Sequence, residues 1–434
     1  MYNDAERLKI DRGILYNNVN IVCEIWTNDL CEKDRMWPGG SLGVDWMINK
    51  RLRVITHAAV VLYGLACLWL YYQQSVAVLP EEGLVAYQSD LPLHISMIVE
   101  DGWYYSFTAY AYKALHVLFG GSTLGIALLL AICSVATVYV TERVICYVSG
   151  NGKQADWKTL LLALSVNLVM PIFLEFVGPY RYVSYQAANI WHNSTYICMK
   201  LFALMTFLYY VKLEQKYREG LCFREWMLFA LLNVITTGIK PSFLLAFSPI
   251  MGIFLLVDLF KKVPFKRIFI FGAAMLPSGL VVLWQNAVLF GEDTGNGMTL
   301  NPWYTFSLHA NIPKAAVVLS AAFCGFVVLA TVKEVLKQRQ YLFVVLMALL
   351  GFLEALCLVE SGRRSVDGNF LWGYSFCLFV LFIYTAVKAF WYPRKTWLQK
   401  GVFGAMVILY FWHLYCGVEY FIRLVCGESY WMMK

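Results

Sequence analysis

An all-α integral membrane fold is what this sequence predicts, and two observations carry the prediction. First, 60% of the 434 residues are hydrophobic and only 15% are charged, whereas a soluble domain carries about 25% charged residues. Too little polar surface exists to coat a water-soluble globule of this size, and lipid is the solvent that tolerates such an exterior. Second, the apolar residues fall into runs of roughly the 20 residues that a helix needs to cross the hydrocarbon core. The aromatic share of 17% suits the belts that form at headgroup depth.

Taken in order, candidate spans run over 54–73, 122–142, 159–177, 195–212, 226–239, 243–260, 268–290, 315–332, 341–359, 371–390 and 402–422, about eleven by the length criterion. Gly238-Ile239-Lys240-Pro241 interrupts one long apolar run and predicts a tight hairpin between two short helices. Orientation follows from the Lys/Arg bias of short loops. Lys50, Arg51 and Arg53 precede the first span and place the N-terminus inside. Every second gap thereafter is basic, as in Lys212, Lys216, Arg218 and Arg224, or Lys333, Lys337 and Arg339. That alternation puts the C-terminus outside. Residues 1–46 read as a cytoplasmic extension, disordered or belonging to a start placed too far upstream, and 47–434 as one polytopic domain without internal repeats.

The net charge of +7 punctuates apolar runs instead of forming a basic patch with interleaved aromatics, so no nucleic-acid partner is expected. The 12 cysteines are scattered, mostly in apolar segments, with no CxxC pair and no zinc spacing. No P-loop, GxSxG elbow or HExxH motif is present.

The unusual residues concentrate on the expected outer side. The first outer loop opens on Ser89-Asp90-Leu91-Pro92-Leu93-His94 and continues through Glu100-Asp101-Gly102-Trp103. Apolar spacing from Leu91 to Leu118, broken at Asp101-Gly102, predicts two short amphipathic helices at the interface. Asp90 precedes the first of them and reads either as an N-cap or as a catalytic carboxylate. Arg181 and Trp191-His192-Asn193-Ser194-Thr195 lie in the second outer loop, and Lys200 lies one turn or more into the span that follows. The motif Asn193-Ser194-Thr195 also fits a glycosylation sequon, but it abuts a span. Lys240 stands at the hairpin, Glu354 lies in the outer half of a span, and Arg363, Arg364, Asn369 and Trp372 follow in the next outer stretch. A charge at bilayer depth costs at least about 2.5 kcal/mol on insertion scales and is usually functional or paired. Arg181, Lys200, Lys240, Arg363 and Arg364 together suit an anionic group such as a phosphate. The bland alternative is structural ion pairing, for example Lys200 with Glu175 or Arg364 with Glu360. His94 and His192 are candidate bases or metal ligands, although a lone histidine is more often a hydrogen-bonded structural residue.

An inward N-terminus, a long outer loop opening on an acid and carrying two interfacial helices, and then many spans resemble the GT-C superfamily of membrane glycosyltransferases. Ser89-Asp90-Leu91-Pro92-Leu93-His94, Lys240-Pro241-Ser242-Phe243 and Gly368-Asn369-Phe370-Leu371-Trp372-Gly373 resemble blocks in uncharacterised bacterial members of that type. The resemblance covers about residues 48–423. It implies an inverting transferase in the bacterial cytoplasmic membrane, drawing on a polyprenyl-phosphate sugar donor and serving a glycan, lipid or protein acceptor. Asp90 would be the base, and the five cations would hold the donor phosphate. His94, Glu100, Asp101, Trp103, Trp191, His192, Glu354, Asn369 and Trp372 would line the substrate. Many members carry paired acids, whereas Asp90 has no acidic neighbour within two positions. That departure weakens the case for a bound metal: the sequence establishes no cofactor, and a divalent metal is compatible with it but not supported. The same layout also fits a polymerase or ligase of lipid-linked oligosaccharides, or a multi-pass transporter.

Overall fold

The computed structural model describes residues 42–78, 85–150, 155–182, 184–290 and 297–431. Its helices are α1 (Leu42–Val76), α2 (Leu91–Val99), α3 (Phe107–Leu118), α4 (Leu124–Val148), α5 (Trp157–Val166), α6 (Ser194–Lys216), α7 (Phe223–Ile239), α8 (Ser242–Phe260), α9 (Phe265–Ala273) and α10 (Leu276–Phe290). There follow α11 (Tyr304–Ser307), α12 (Pro313–Ser320), α13 (Ala322–Ala330), α14 (Val332–Lys337), α15 (Arg339–Cys357), α16 (Leu371–Phe390) and α17 (Trp397–Val425). Two short strands, β1 (Met298–Leu300) and β2 (Leu358–Glu360), pair antiparallel with Met298 opposite Glu360.

Among the described residues, eight helices are long and apolar enough to cross a membrane: α1, α4, α6, α8, α9 with α10, α15, α16 and α17. The number rises to nine if the bent pair α12 and α13 is one span. The chain is thus an all-α, multi-pass membrane protein. α6 and α16 form the centre, with 78% and 83% of their apolar windows buried, against 22% for α9–α10 and for α17. A helix that is apolar all round belongs in such a centre.

Three expected spans depart from a straight long helix. The run over 159–177 is helical only to Val166, and the described residues of 167–193 carry no helix. The run over 315–332 breaks at Ala321, where α12 and α13 meet at 64°. α7 has 17 residues. The expected extension 1–46 falls mostly outside the described residues, although Leu42 to Trp46 already belong to α1. The first outer loop follows expectation in forming α2 and α3 with a break at Asp101 and Gly102, the latter at φ +68°.

Irregular backbone is tolerated at membrane depth only where protein satisfies it, and 167–193 is tied to its neighbours along its length. Asn189 Nδ2 donates to the carbonyls of Val166 (2.9 Å) and Val169 (2.8 Å). Met170 N donates to His413 O at 3.1 Å, and His413 Nδ1 lies 2.7 Å from Met170 O. Tyr185 OH closes on both the carbonyl and the amide of Leu174. Gln186 N donates to Ser320 Oγ at 2.9 Å, which ties the segment to the break beside α13.

The expected inner ends of the helices meet at one end of the bundle. Asp258, fully buried at the foot of α8, accepts from Tyr217 OH, from Arg218 (3.0 Å) and from Arg339 (2.7 Å), while Arg339 also pairs with Glu214. Two cations counted in basic loops thereby fasten α6, α8 and α15 together. Buried pairs of this kind are costly to break singly, because the remaining charge loses its partner.

Candidate functional site

At the opposite end, side chains from separate expected outer segments converge. Asp90 precedes α2, and its carboxylate makes no capping bond to the helix; the N–H of Leu91 turns instead to Ser89 Oγ at 3.3 Å. Asp90 Oδ2 accepts from Asn193 Nδ2 at 2.7 Å, and Asp90 N donates to the carbonyl of His192 at 3.2 Å. Asn193 is the N-cap of α6, its Oδ1 accepting from Tyr196 N (2.9 Å) and Thr195 Oγ1 (2.9 Å). Lys240 Nζ donates to that same Oδ1 (3.3 Å) and to Thr195 Oγ1 (3.2 Å). One asparagine thus holds a carboxylate on its nitrogen and an ammonium on its oxygen.

The surrounding walls are aromatic. Lys240 Nζ sits 4.5 Å from the Trp372 ring centroid, a cation–π distance. Trp372 Nε1 donates to Asn369 Oδ1 (3.2 Å), and Asn369 Nδ2 donates to Glu360 (2.7 Å). α16 comes this close to α8 because residue 373 is glycine; a Cβ there would meet the Ser242 carbonyl at 2.8 Å and Glu354 Oε2 at 3.9 Å. His192 stacks on Tyr430 with centroids 3.9 Å apart and packs edge-on against Tyr182. His94 Nδ1 lies 3.0 Å from Ser194 Oγ. Burial lowers the His94 pKa, with the Asp90 carboxylate opposing that effect and the Lys240 ammonium adding to it.

Burial also pulls His192 down to about 4 from 6.5. The folded ring therefore stays neutral while the unfolded chain takes up a proton. Stability from this group is complete above pH 6.5 and is lost as pH falls toward 4. The full cost is about 3 kcal/mol, since each pH unit between the folded and unfolded values is worth about 1.36 kcal/mol. Thermal unfolding between pH 7 and pH 4 is expected to show a decline that His192→Phe reduces; an equally steep decline in that variant refutes the assignment.

Not every expected residue joins this cluster. Arg181 pairs with Glu419 at 2.9 Å and lies over the Phe173 ring. Lys200 lies deeper, bonded to Asn167 and Asn189, while Glu175 is exposed in a turn. Trp191 is buried and donates to Tyr63 OH at 3.2 Å. Glu100, Asp101 and Trp103 are exposed between α2 and α3, with Glu100 accepting from Ser96 Oγ. Glu354 is half-buried on α15, beside Gly373. Arg363 and Arg364 belong to the 3₁₀ turn Gly362–Val366, and their side chains lie outside those described. Sequence reasoning missed the bridging role of Asn193, which it treated as a sequon, and it missed Ser194, Tyr182 and Tyr430. An asparagine just before a long apolar helix was the available signal for the first.

Beside the cluster runs an open apolar groove of about 450 Å³ between α3 and α10, lined by Phe107, Tyr110, Leu280, Val281 and Trp284. Phe107 lies against Gly238, where a Cβ would stand 2.3 Å from its ring. One wall residue of the groove thus packs against the chain two residues before Lys240. Among the described residues no three His, Cys, Asp or Glu side chains are grouped to hold a metal ion. No protein-family model matches the chain, and no curated protein matches it.

Proposed function

We propose that this chain is a membrane-embedded group transferase whose site lies at one surface of the bilayer. More particularly, it is a glycosyltransferase of the GT-C type that moves a sugar from a polyprenyl-phosphate donor to an acceptor on the extracytoplasmic face. The observation that carries this reading is Asn193, which holds the Asp90 carboxylate and the Lys240 ammonium on its two ends. A base and a phosphate partner joined through one asparagine suit inverting transfer: Asp90 takes the acceptor proton as the sugar–phosphate bond breaks, and Lys240 meets the charge that develops on the leaving phosphate. The adjoining groove suits the donor's lipid chain, since it is apolar and Phe107 in its wall packs against Gly238, two residues before Lys240. In this reading the chain makes eleven passes with its N-terminus inside. Three passes are unconventional: α5 with the irregular stretch that follows it to residue 177, the short α7, and the bent α12–α13.

Arg181 pairs with Glu419, whereas Lys240 is the cation joined to Asp90 through Asn193, and this reading takes Lys240 for the donor phosphate. Lys240→Met removes a charge-assisted bond of about 1.5–3 kcal/mol. The expected result is a fall of roughly 10- to 100-fold in kcat/KM for the lipid donor. It is measured with the purified protein in nanodiscs and radiolabelled polyprenyl-phosphate sugars. An unchanged kcat/KM would remove Lys240 from the site, and substrate counterflow without any transfer would mark a transporter instead.

A further inference from the structure

Lys200 is the cation at depth that the transferase reading leaves without a task. It lies on α6 at 8% exposure, with its ammonium bonded to Asn189 Oδ1, 3.3 Å from Asn167 Oδ1, and 3.6 Å from the Phe379 ring centroid. The two asparagine oxygens take two of its N–H bonds, and the Phe379 ring faces the nitrogen. The two asparagines cannot reverse their amides. Asn167 Nδ2 is committed to Thr141 Oγ1 and Ala163 O, and Asn189 Nδ2 to Val166 O and Val169 O. Among the described residues no carboxylate pairs with Lys200. A buried charge without a counter-charge is expensive at any effective dielectric below that of water.

Lys200 also lines a cavity of about 20 Å³, whose polar wall is completed by Asn167, Asn189, Tyr63, Tyr71, Ser134 and Thr137, room for a single body about the size of a water molecule. The wall carries spare donors. Tyr63 OH accepts from Trp191 Nε1 at 3.2 Å, so its own proton can point inward. Tyr71 OH and Ser134 Oγ lie 2.9 Å apart and use one of their two protons on each other, which leaves the second. The Cys67 thiol beside these hydroxyls is a weak acceptor that competes poorly for their protons. The Thr137 proton is spent elsewhere, on Cys133 O. A hydroxyl-lined space beside an uncompensated ammonium favours an anion over a cation, and its size excludes a phosphate.

We propose that this cavity is a binding site for a monatomic monovalent anion, chloride in class, which neutralises Lys200. Through Asn167 and Asn189 the bound ion steadies the irregular segment that ends in His192 and Asn193. The site is independent of any transferase activity.

Thermal unfolding of the purified full chain in detergent, at constant ionic strength in sodium chloride, bromide or gluconate, tests it. Chloride and bromide are expected to raise the midpoint by several degrees over gluconate. The difference is expected to vanish in Lys200→Met and to shrink in Tyr63→Phe and Ser134→Ala, which keep the ammonium and its asparagines. If Lys200→Met fails to fold, the two hydroxyl variants decide alone. Equal melting of the wild type in all three salts means that the cavity takes water and overturns the proposal. A chloride effect that survives in full in Tyr63→Phe and Ser134→Ala overturns it as well, because it is then a general salt effect.

Discussion

Asp90→Asn is expected to lower sugar transfer by about 10²- to 10⁴-fold, the contribution of a positioned general base, with the fold intact. The asparagine oxygen can take the place of Oδ2 and keep the bond from Asn193 Nδ2. The backbone bonds from Asp90 N to His192 O and from His94 N to Asp90 O do not involve the side chain. What is lost is the negative charge and the lone pair that accepts the proton. The readout is turnover of the purified variant beside its melting temperature. A fall in turnover at an unchanged midpoint assigns the role; wild-type turnover removes Asp90 from catalysis. Loss of activity on substituting Arg363 and Arg364, with Asp90→Asn still active, would point to a polymerase or ligase gripping a pyrophosphate-linked chain.

The parts of this protein that were legible in the sequence are those encoded by local pattern. The break at Asp101-Gly102 and the turn at Lys240-Pro241 are written in backbone chemistry, and both fall where expected. The segment 159–177 misled because hydrophobic length measures solvent preference and not helicity. Asn167 and Pro171 interrupt it, yet many of its apolar residues are buried all the same, against the rest of the protein instead of lipid. Partners were harder to read than charges. Lys200 stood out as a cation at depth, but its acceptors are two neutral asparagines from another part of the chain. Arg181 was expected to hold a donor phosphate; its partner within the fold is Glu419 from the last helix, where Arg423 one turn on also pairs with Glu419. The convergence on Asn193 depends on tertiary structure alone, since Asp90, Asn193 and Lys240 share no local pattern.

Gly417→Ala is expected to be the most destabilising small substitution in the chain. Gly417 lies on α17, and a Cβ there would stand 1.6 Å from Leu168 O, 2.7 Å from Leu168 C and 2.9 Å from Met170 N. All three are backbone atoms, so no side-chain rotation relieves the clash. Neither side yields easily: α17 is one continuous helix of 29 residues, and 167–170 is held by Asn189 and by both bonds between Met170 and His413. Separating them strips a carbonyl and an N–H of their partners where water is scarce, at several kcal/mol each. A loss of about 4 kcal/mol or more follows, in the range reserved for named core defects. Gly401→Ala and Gly404→Ala are the internal controls. They sit on the same helix with nothing within 4 Å of the added Cβ, and alanine there should be neutral or stabilising by up to about 1 kcal/mol. Melting of Gly417→Ala alongside these controls would refute the close contact between α17 and the irregular segment. Its selective collapse would show that the support of His192 and Asn193 runs through a backbone contact on the last helix, far away in sequence.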